Sequence, residues 1–229
     1  MSQILNINGL EMHYLERGDG PTALLLHAAT SNGVEIGWLA QRIKDQGFNV
    51  VTPDLRGHGQ TPNPAPDLHL PRLVDDILEF NTQLGRGPVH GGGFSLGGAV
   101  TLYAALKRPD LFKSILLVGT TYRAQQEHVE SAIGPLDRRD PDVQRVFDPV
   151  TGILGGWDAP LEAFAAITCP ALIICADRDE FNGPEDGLAL YRTLMNAELL
   201  VVPNCDHFGL VRNPHVMEAV ANFYGRVAK

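Results

Sequence analysis

The chain has 229 residues, 44% hydrophobic and 20% charged, which excludes a disordered chain, a collagen-like repeat and a coiled coil. It is long enough to bury a core without disulfides or a structural metal. The 18 basic and 27 acidic residues give a net charge of −9, which argues against a basic phosphate-binding stripe and so against nucleic acid as a partner.

In chain order, Ile4–Ile7, the pair Asn8-Gly9 and Glu11–Leu15 read as an antiparallel hairpin at a sheet edge. Ala23–Leu26 is a short apolar run of strand length. Trp38, Leu39 and Ile43 mark a helix before the strand at Val50-Val51. Thr61 to Pro71, with Pro62, Pro64 and Pro66, is an extended surface loop. Pro71 stands near the start of a helix marked by Leu73, Ile77, Leu78 and Phe80, a position that tolerates proline. Val89–Gly92 is a strand, and Val100, Leu102, Tyr103 and Leu106 mark the next helix. The β-rich runs at Ser114–Val118, Ala171–Cys175 and Leu199–Val202 are apolar on both faces and suit strands covered on both sides. Leu188, Leu190, Tyr191 and Leu194 mark a fourth helix. Asn213-Pro214 starts the last, with Val216, Ala219, Val220 and Phe223. This alternation predicts an α/β fold with a mostly parallel sheet. Only residues 121–167 break the rhythm. Helical spacing at Val143, Val146, Phe147 and Val150, interrupted by Gly134-Pro135, Asp140-Pro141 and Gly155-Gly156, predicts a small helical insertion over one end of the sheet.

Three cysteines, Cys169, Cys175 and Cys205, are too few for a disulfide scaffold and leave at least one thiol free, which points to a reducing, cytoplasmic setting. The first ten residues lack the pattern of a secretory leader, and no stretch approaches the ~18 apolar residues of a membrane span, so no membrane partner is expected.

The strongest chemical signal is Gly93-Phe94-Ser95-Leu96-Gly97, set between a strand and a helix. In that context a tight strand-to-helix turn lifts the serine hydroxyl above the sheet and leaves the next backbone N–H at a helix N-terminus. The bland alternative is a glycine-rich turn with an incidental serine. A dinucleotide fingerprint would need glycine where Leu96 stands, and a phosphate loop would need Gly-Lys-Ser/Thr. A serine hydroxyl needs a base held by a third group. Two later strand ends carry candidates: Asp177 and Asp179 after Ile173–Ala176, and His207 after Val201-Val202. Asp179 and His207 are 28 residues apart, the length of one loop–helix–strand unit, so both would emerge at the carboxyl ends of neighbouring strands.

Taken together, the chain resembles the α/β-hydrolase superfamily over nearly its whole length. Leu24-Leu25-Leu26-His27-Ala28-Ala29 is similar to that family's His-Gly-x oxyanion loop. Asp54-Leu55-Arg56-Gly57-His58-Gly59-Gln60-Thr61 resembles its Asp-x-Arg-Gly-x-Gly-x-Ser segment. Ala176-Asp177-Arg178-Asp179 resembles Gly-x-x-Asp, and Asp206-His207-Phe208 resembles Gly-His-Phe. The resemblance implies an α/β-hydrolase fold with a mostly parallel sheet of about eight strands and helices on both faces. Residues 1–120 and 168–229 would form the core and 121–167 a small helical cap. It implies Ser95 as nucleophile, His207 as general base and then acid, and Asp179 as the group that orients the imidazole, in the family's chain order. It also implies an oxyanion hole from the backbone N–H groups of Ala29 and Leu96.

Three positions depart from the pattern. Ala28 replaces the oxyanion-loop glycine and would be strained at positive φ, which leaves Thr30 as an alternative donor to Ala29. Ala176 replaces a glycine, which blurs the choice between Asp179 and Asp177; motif alignment favours Asp179. Asp206 stands where glycine is frequent and is expected to face solvent. His27 is expected to make a structural hydrogen bond behind the oxyanion loop. Arg56 and His58 are expected to brace the loop after the fourth strand, with an anionic substrate group as the alternative partner of Arg56. His90 reads as a core or strand-edge histidine. The Cys205/His207 pair with Cys169 and Cys175 matches no common zinc spacing, so neither metal nor cofactor is expected. Ala28, Phe94, Phe181 and Phe208 are the expected substrate wall, while Tyr122, Phe147 and Trp157 read as packing residues.

The function implied is a serine hydrolase that cleaves esters, lactones or thioesters of small to medium uncharged molecules through an acyl-enzyme. The same residues on this fold also suit perhydrolysis, carbon–carbon hydrolysis or hydroxynitrile cleavage, or a non-catalytic ligand receptor. A short cap of two or three helices would limit the acyl chain to about eight carbons, since a 12-residue helix is ~18 Å long.

Overall fold

The computed structural model describes residues 2–64, 68–123 and 159–228. Eight strands form one sheet in the order β1-β2-β4-β3-β5-β6-β7-β8. β1 (Gln3–Ile7) and β2 (Leu10–Arg17) are antiparallel, as is β2 against β4 (Asn49–Pro53). β3 (Thr22–Leu26), β4, β5 (Val89–Phe94), β6 (Phe112–Val118), β7 (Ala171–Ala176) and β8 (Ala197–Val202) run parallel. The hairpin turn is made by Asn8 and Gly9, at φ 45° and 72°, the left-handed pair that matches strand twist.

The α-helices among the described residues are α1 (Gly37–Lys44), α2 (Leu70–Leu84), α3 (Leu96–Lys107), α4 (Pro184–Thr193) and α5 (Pro214–Val227). Their starts follow local chemistry. Pro71 lies in the first turn of α2, where His69 accepts from the Arg72 N–H, and Asn213 caps α5 at His215.

Side chains alternate along each strand, so the apolar runs feed two cores. Leu24, Leu26, Ile115, Leu117 and Ile173 pack on one face with Val74, Ile77, Val100, Tyr103 and Leu190. Leu25, Leu116, Val118, Leu172 and Ile174 pack on the other with Leu39, Ile43, Val220 and Phe223. His90 lies in the second region, bonded to Ser114 Oγ at 2.8 Å and packed edge-on to Phe48. It is the core histidine expected, and burial pushes its pKa down to about 4.

One expectation changes. β8 is the outer strand of the sheet, not a strand covered on both sides, and its Val201 is 39% exposed. On α4, Leu190 faces the core while Leu188 and Tyr191 are exposed. The helix approaches β7 through Gly187, where an added Cβ would lie 2.0 Å from Cys175 Sγ. That close approach turns Leu188 and Tyr191 outward. The expected cap lies mostly outside the described residues, as do Phe147 and Trp157. Of its ends, Tyr122 packs near Phe164 with centroids 6.3 Å apart, and Phe164 lies edge-on to Tyr103 at 5.4 Å.

Candidate active site

β3, β5, β6, β7 and β8 are parallel, so their carboxyl ends lie on one rim, and the loops that follow them carry the candidate residues. Ser95 stands between β5 and α3 at φ 54°, ψ −117°, a strained conformation for a residue with a Cβ. The surroundings hold it there. Its N–H donates to Val118 O at 2.9 Å, and its carbonyl accepts from Thr120 Oγ1 at 2.5 Å and from Ala99 N at 3.1 Å. Close approach requires both flanking glycines. A Cβ on Gly93 would meet the Gly97 carbonyl carbon at 2.3 Å, and one on Gly97 would meet Leu26 O at 2.1 Å and His27 O at 2.7 Å. The serine turn is thereby packed directly against the start of the β3–α1 loop.

Asp179 and His207 meet across the ends of β7 and β8. His207 Nδ1 is 2.7 Å from Asp179 Oδ2, with the carboxylate side chain fully buried and the imidazole 7% exposed. The other oxygen, Oδ1, accepts from the backbone of Phe181 at 2.9 Å and Asn182 at 2.8 Å. Asp177 points elsewhere. It accepts from Cys205 N at 3.0 Å, and backbone bonds from Cys205 and Asn204 hold its carboxyl below the usual range. The structure therefore brings Asp179, not Asp177, to the histidine. The imidazole stacks on Phe94, the residue before Ser95, with centroids 4.9 Å apart and planes at 26°. Phe181 and Phe208 lie edge-on to it at 5.2 and 5.4 Å, so three of the four expected wall residues surround His207. Phe208 is 62% exposed.

The β3–α1 loop is built differently. Ala28 is not among the residues with positive φ, so the strain expected there does not arise. Asp54 braces the loop from below, accepting from Gly33 N at 2.7 Å and Gln60 N at 2.8 Å. His27 is fully buried. Its Nε2 accepts from Leu55 N at 3.0 Å, and its Nδ1 lies 2.7 Å from Ala28 O. Burial pushes its pKa down to about 4. His58 faces carbonyl oxygens with both ring nitrogens, Arg56 O at 2.9 Å and Ala29 O at 2.8 Å.

Arg56 is 2% exposed and forms a two-point ion pair with Asp76, at 2.6 and 2.8 Å. It braces the loop as expected, and that burial removes it as a partner for an anionic substrate. Asp206 is exposed, as expected, and accepts from Gly209 N at 2.6 Å, closing the turn after His207. Cys175 lies inside β7, where burial raises its thiol to about 12. Among the described residues no cluster of three His, Cys, Asp or Glu side chains has a geometry that holds a metal. Nor is any helix among them long and apolar enough to cross a membrane.

Sequence reading missed Thr120 and Asn182. Asn182 Nδ2 donates to Gly119 O at 2.9 Å, fixing a turn at φ 52° whose added Cβ would lie 3.3 Å from His207 Cε1. No sequence motif marks either residue. Thr120 acts through a contact between the ends of β5 and β6, and Asn182 through one between the ends of β6 and β7.

Residues 21–152, more than half of the chain, match the family described as alpha/beta hydrolase fold. The chain belongs to that family. This α/β-hydrolase is 29% identical over 264 aligned positions to 2-(acetamidomethylene)succinate hydrolase of Mesorhizobium japonicum, spanning 97% of its own length and 95% of the relative. It superposes with a TM-score of 0.79 on the enol-lactonase of Burkholderia xenovorans LB400, at 21% identity over 96% of this chain and 99% of that one. For a thermophilic esterase from Thermogutta terrifontis the TM-score is 0.77, at 20% identity over the full length of both. At those identities the two structures share the fold with this chain.

Proposed function

We propose that this α/β-hydrolase is a serine hydrolase that cleaves carboxylic esters, lactones or thioesters of small to medium uncharged molecules. The observation that carries the reading is the buried pair of His207 Nδ1 and Asp179 Oδ2 at 2.7 Å, stacked on the residue next to Ser95. Asp179 accepts from Nδ1–H, so Nε2 is the basic nitrogen. In acylation His207 takes the Ser95 proton as Oγ attacks the acyl carbon. The backbone N–H groups of Leu96 and Ala29 receive the developing oxyanion, and one such donor is typically worth ~3 kcal/mol of barrier. His207 then protonates the departing alcohol. Water, deprotonated by the same nitrogen, releases the acid. The site residues named act without a metal or an organic cofactor in this scheme. Free thiols at Cys169, Cys175 and Cys205 support a reducing compartment such as the cytoplasm.

A second reading changes the bond cleaved. The relative matched over nearly its whole length is named for hydrolysing 2-(acetamidomethylene)succinate, whose name describes an amide carrying acid groups. The same acyl transfer to Ser95 would serve an amide. One panel separates the two readings: kcat/KM for p-nitrophenyl esters of two to sixteen carbons, simple lactones and 2-(acetamidomethylene)succinate, with Ser95→Ala as the control. The first reading expects Ser95-dependent turnover of the shorter esters or lactones, because each methylene gains ~0.8 kcal/mol only while it stays buried. Turnover confined to the acidic amide establishes the second. Turnover that is unchanged in Ser95→Ala overturns both.

A further inference from the structure

β8 ends the sheet, and among the described residues it pairs with β7 alone. Its inner bonds show which of its backbone groups are turned outward. Asn196 O and Val202 O accept from Ala171 N and Asp177 N on the β7 side, at 2.9 and 3.1 Å. Backbone direction alternates along a strand, so the N–H and C=O of Ala197, Leu199 and Val201 point to the outer edge. Sheet edges are ordinarily blunted by lysine, proline or a bulge. β8 has neither residue type, and its register against β7 is unbroken. Its one charged side chain, Glu198, turns to the α5 face, where Arg226 holds both carboxylate oxygens at 2.6 Å.

The other face carries an apolar strip along the same edge. Ala197 and Leu199 pack on the α4 side of the sheet, and Val201 shares that side by alternation. On α4, Asp186 turns inward, bonded to Thr121 Oγ1 at 2.5 Å and paired with Arg123 Nε at 2.9 Å beyond the end of β6. At about 100° per residue, Leu188 and Tyr191 lie on the opposite flank, above the free edge. Both are exposed, and Met195, just past the helix, is 77% exposed.

This edge is complementary to itself. Let two copies meet about a two-fold axis perpendicular to the sheet, with Leu199 on the axis. Leu199 then faces its own copy and Ala197 faces the partner's Val201, so all three outward residues exchange backbone hydrogen bonds in an antiparallel ladder. α4 packs over both β7 and β8. Strands ~4.8 Å apart therefore bring the two copies of α4 to about 10 Å, a helix-packing distance. Leu199 lies ~7 Å into β8, level with about residue 189 of the helix that runs back above it. The axis thus passes between Leu188 and Tyr191. Each Leu188 meets the partner's Tyr191, and each Glu185 meets the partner's Arg192, so opposite charges close both flanks of the apolar contact.

We propose that the β8 edge and the outer flank of α4 form a dimer interface, occupied by a second copy of this chain that continues the sheet about a two-fold axis at Leu199.

Sedimentation velocity at micromolar concentrations, with thermal melts to verify folding, tests this. The wild-type protein is expected to sediment as a dimer. Leu188→Glu places a carboxylate in the interface twice, once from each copy, and is expected to raise Kd about 100-fold or more. Leu199→Pro removes the N–H at the axis but no bond to β7, because that N–H points outward; it is expected to be folded and monomeric. Arg192→Glu is expected to weaken the dimer about tenfold, and adding Glu185→Arg to restore it. Opposed hydrogen-bonded residues have Cα atoms ~5.5 Å apart, within disulfide reach. Mild oxidation of Leu199→Cys is therefore expected to give a covalent dimer that the wild-type protein does not form. A wild-type protein that sediments as a monomer leaves this edge to a different chain and overturns the proposal. It is also overturned by a dimer that survives both Leu188→Glu and Leu199→Pro in folded protein, by a Leu199→Cys dimer that oxidation leaves unlinked, or by a Glu185→Arg, Arg192→Glu pair no tighter than Arg192→Glu alone.

Discussion

The two halves of the site are built on opposite principles. At the ends of β7 and β8, side chains face the chemistry: Asp179 touches His207, and His207 stacks beside the serine turn. At the ends of β3 and β4, the side chains turn away from it. His27, His58 and Asp54 all face backbone groups of the loops, and in the proposed mechanism the chemistry there falls to peptide N–H groups. The first half fails when a functional group is removed. The second fails when a plane rotates, and a group need not be lost for that to happen. A loop of small residues can thus supply a specific electrostatic site, provided buried polar side chains fix its carbonyls.

The largest expected effect tests the side-chain half. Asp179→Asn should lower kcat/KM by about 10³-fold or more, because an amide no longer fixes the tautomer or stabilises the imidazolium. Asp177→Asn should stay within about tenfold, since Asp177 only ties the loop to Cys205 N. Steady-state kinetics on both variants checks this, and the reverse ranking would break the assignment.

A smaller effect is expected where the halves join. Gly97→Ala would place a Cβ 2.1 Å from Leu26 O, forcing the serine turn and the oxyanion loop apart. Displacement on the order of 1 Å costs up to about 10²-fold in rate. Kinetics with a parallel thermal melt should show that loss while Asp179→Asn melts near wild type. An active Gly97→Ala protein would show that the two loops need not be packed together.

A further effect concerns acid stability and falls on the backbone half. His27 is held at a pKa of about 4, below the ordinary value of ~6.5 in an unfolded chain. The unfolded state binds the extra proton first, so the stabilisation is present above pH ~6.5 and is lost as pH falls through about 4. A shift of that size corresponds to about 3 kcal/mol. His90, also lowered to about 4 by burial, acts in the same direction. Urea unfolding at pH 7 and pH 4.5 should show the loss, and His27→Asn should flatten it. Equal stability at both pH values would contradict the buried neutral state of His27.

The same contrast explains how much was legible in the sequence. Strand ends, the serine turn, Asp179 and His207 were readable because residue type and spacing carry the information. The continuous apolar runs of β6 and β7 announced a sheet buried on both faces. β8 misled because its run, Leu199–Val202, is as apolar as an inner strand, and only the chain's topology puts it outermost. The support of Ser95 by Thr120, and of the Gly119 turn by Asn182, was illegible, since each is a side chain reaching a carbonyl on another segment. His27 and His58 were visible as bracing residues, yet which carbonyls they hold could come only from coordinates.

The account stands on an activated Ser95, and covalent labelling tests that most directly. The protein is incubated with an alkyl fluorophosphonate at pH 7.5, digested and mapped by mass spectrometry. The account expects a single adduct on Ser95 that forms rapidly in the wild-type protein, is absent in Ser95→Ala, and forms at least about 10³-fold more slowly in folded His207→Ala. An unlabelled Ser95, or labelling at an undiminished rate in His207→Ala, would contradict it.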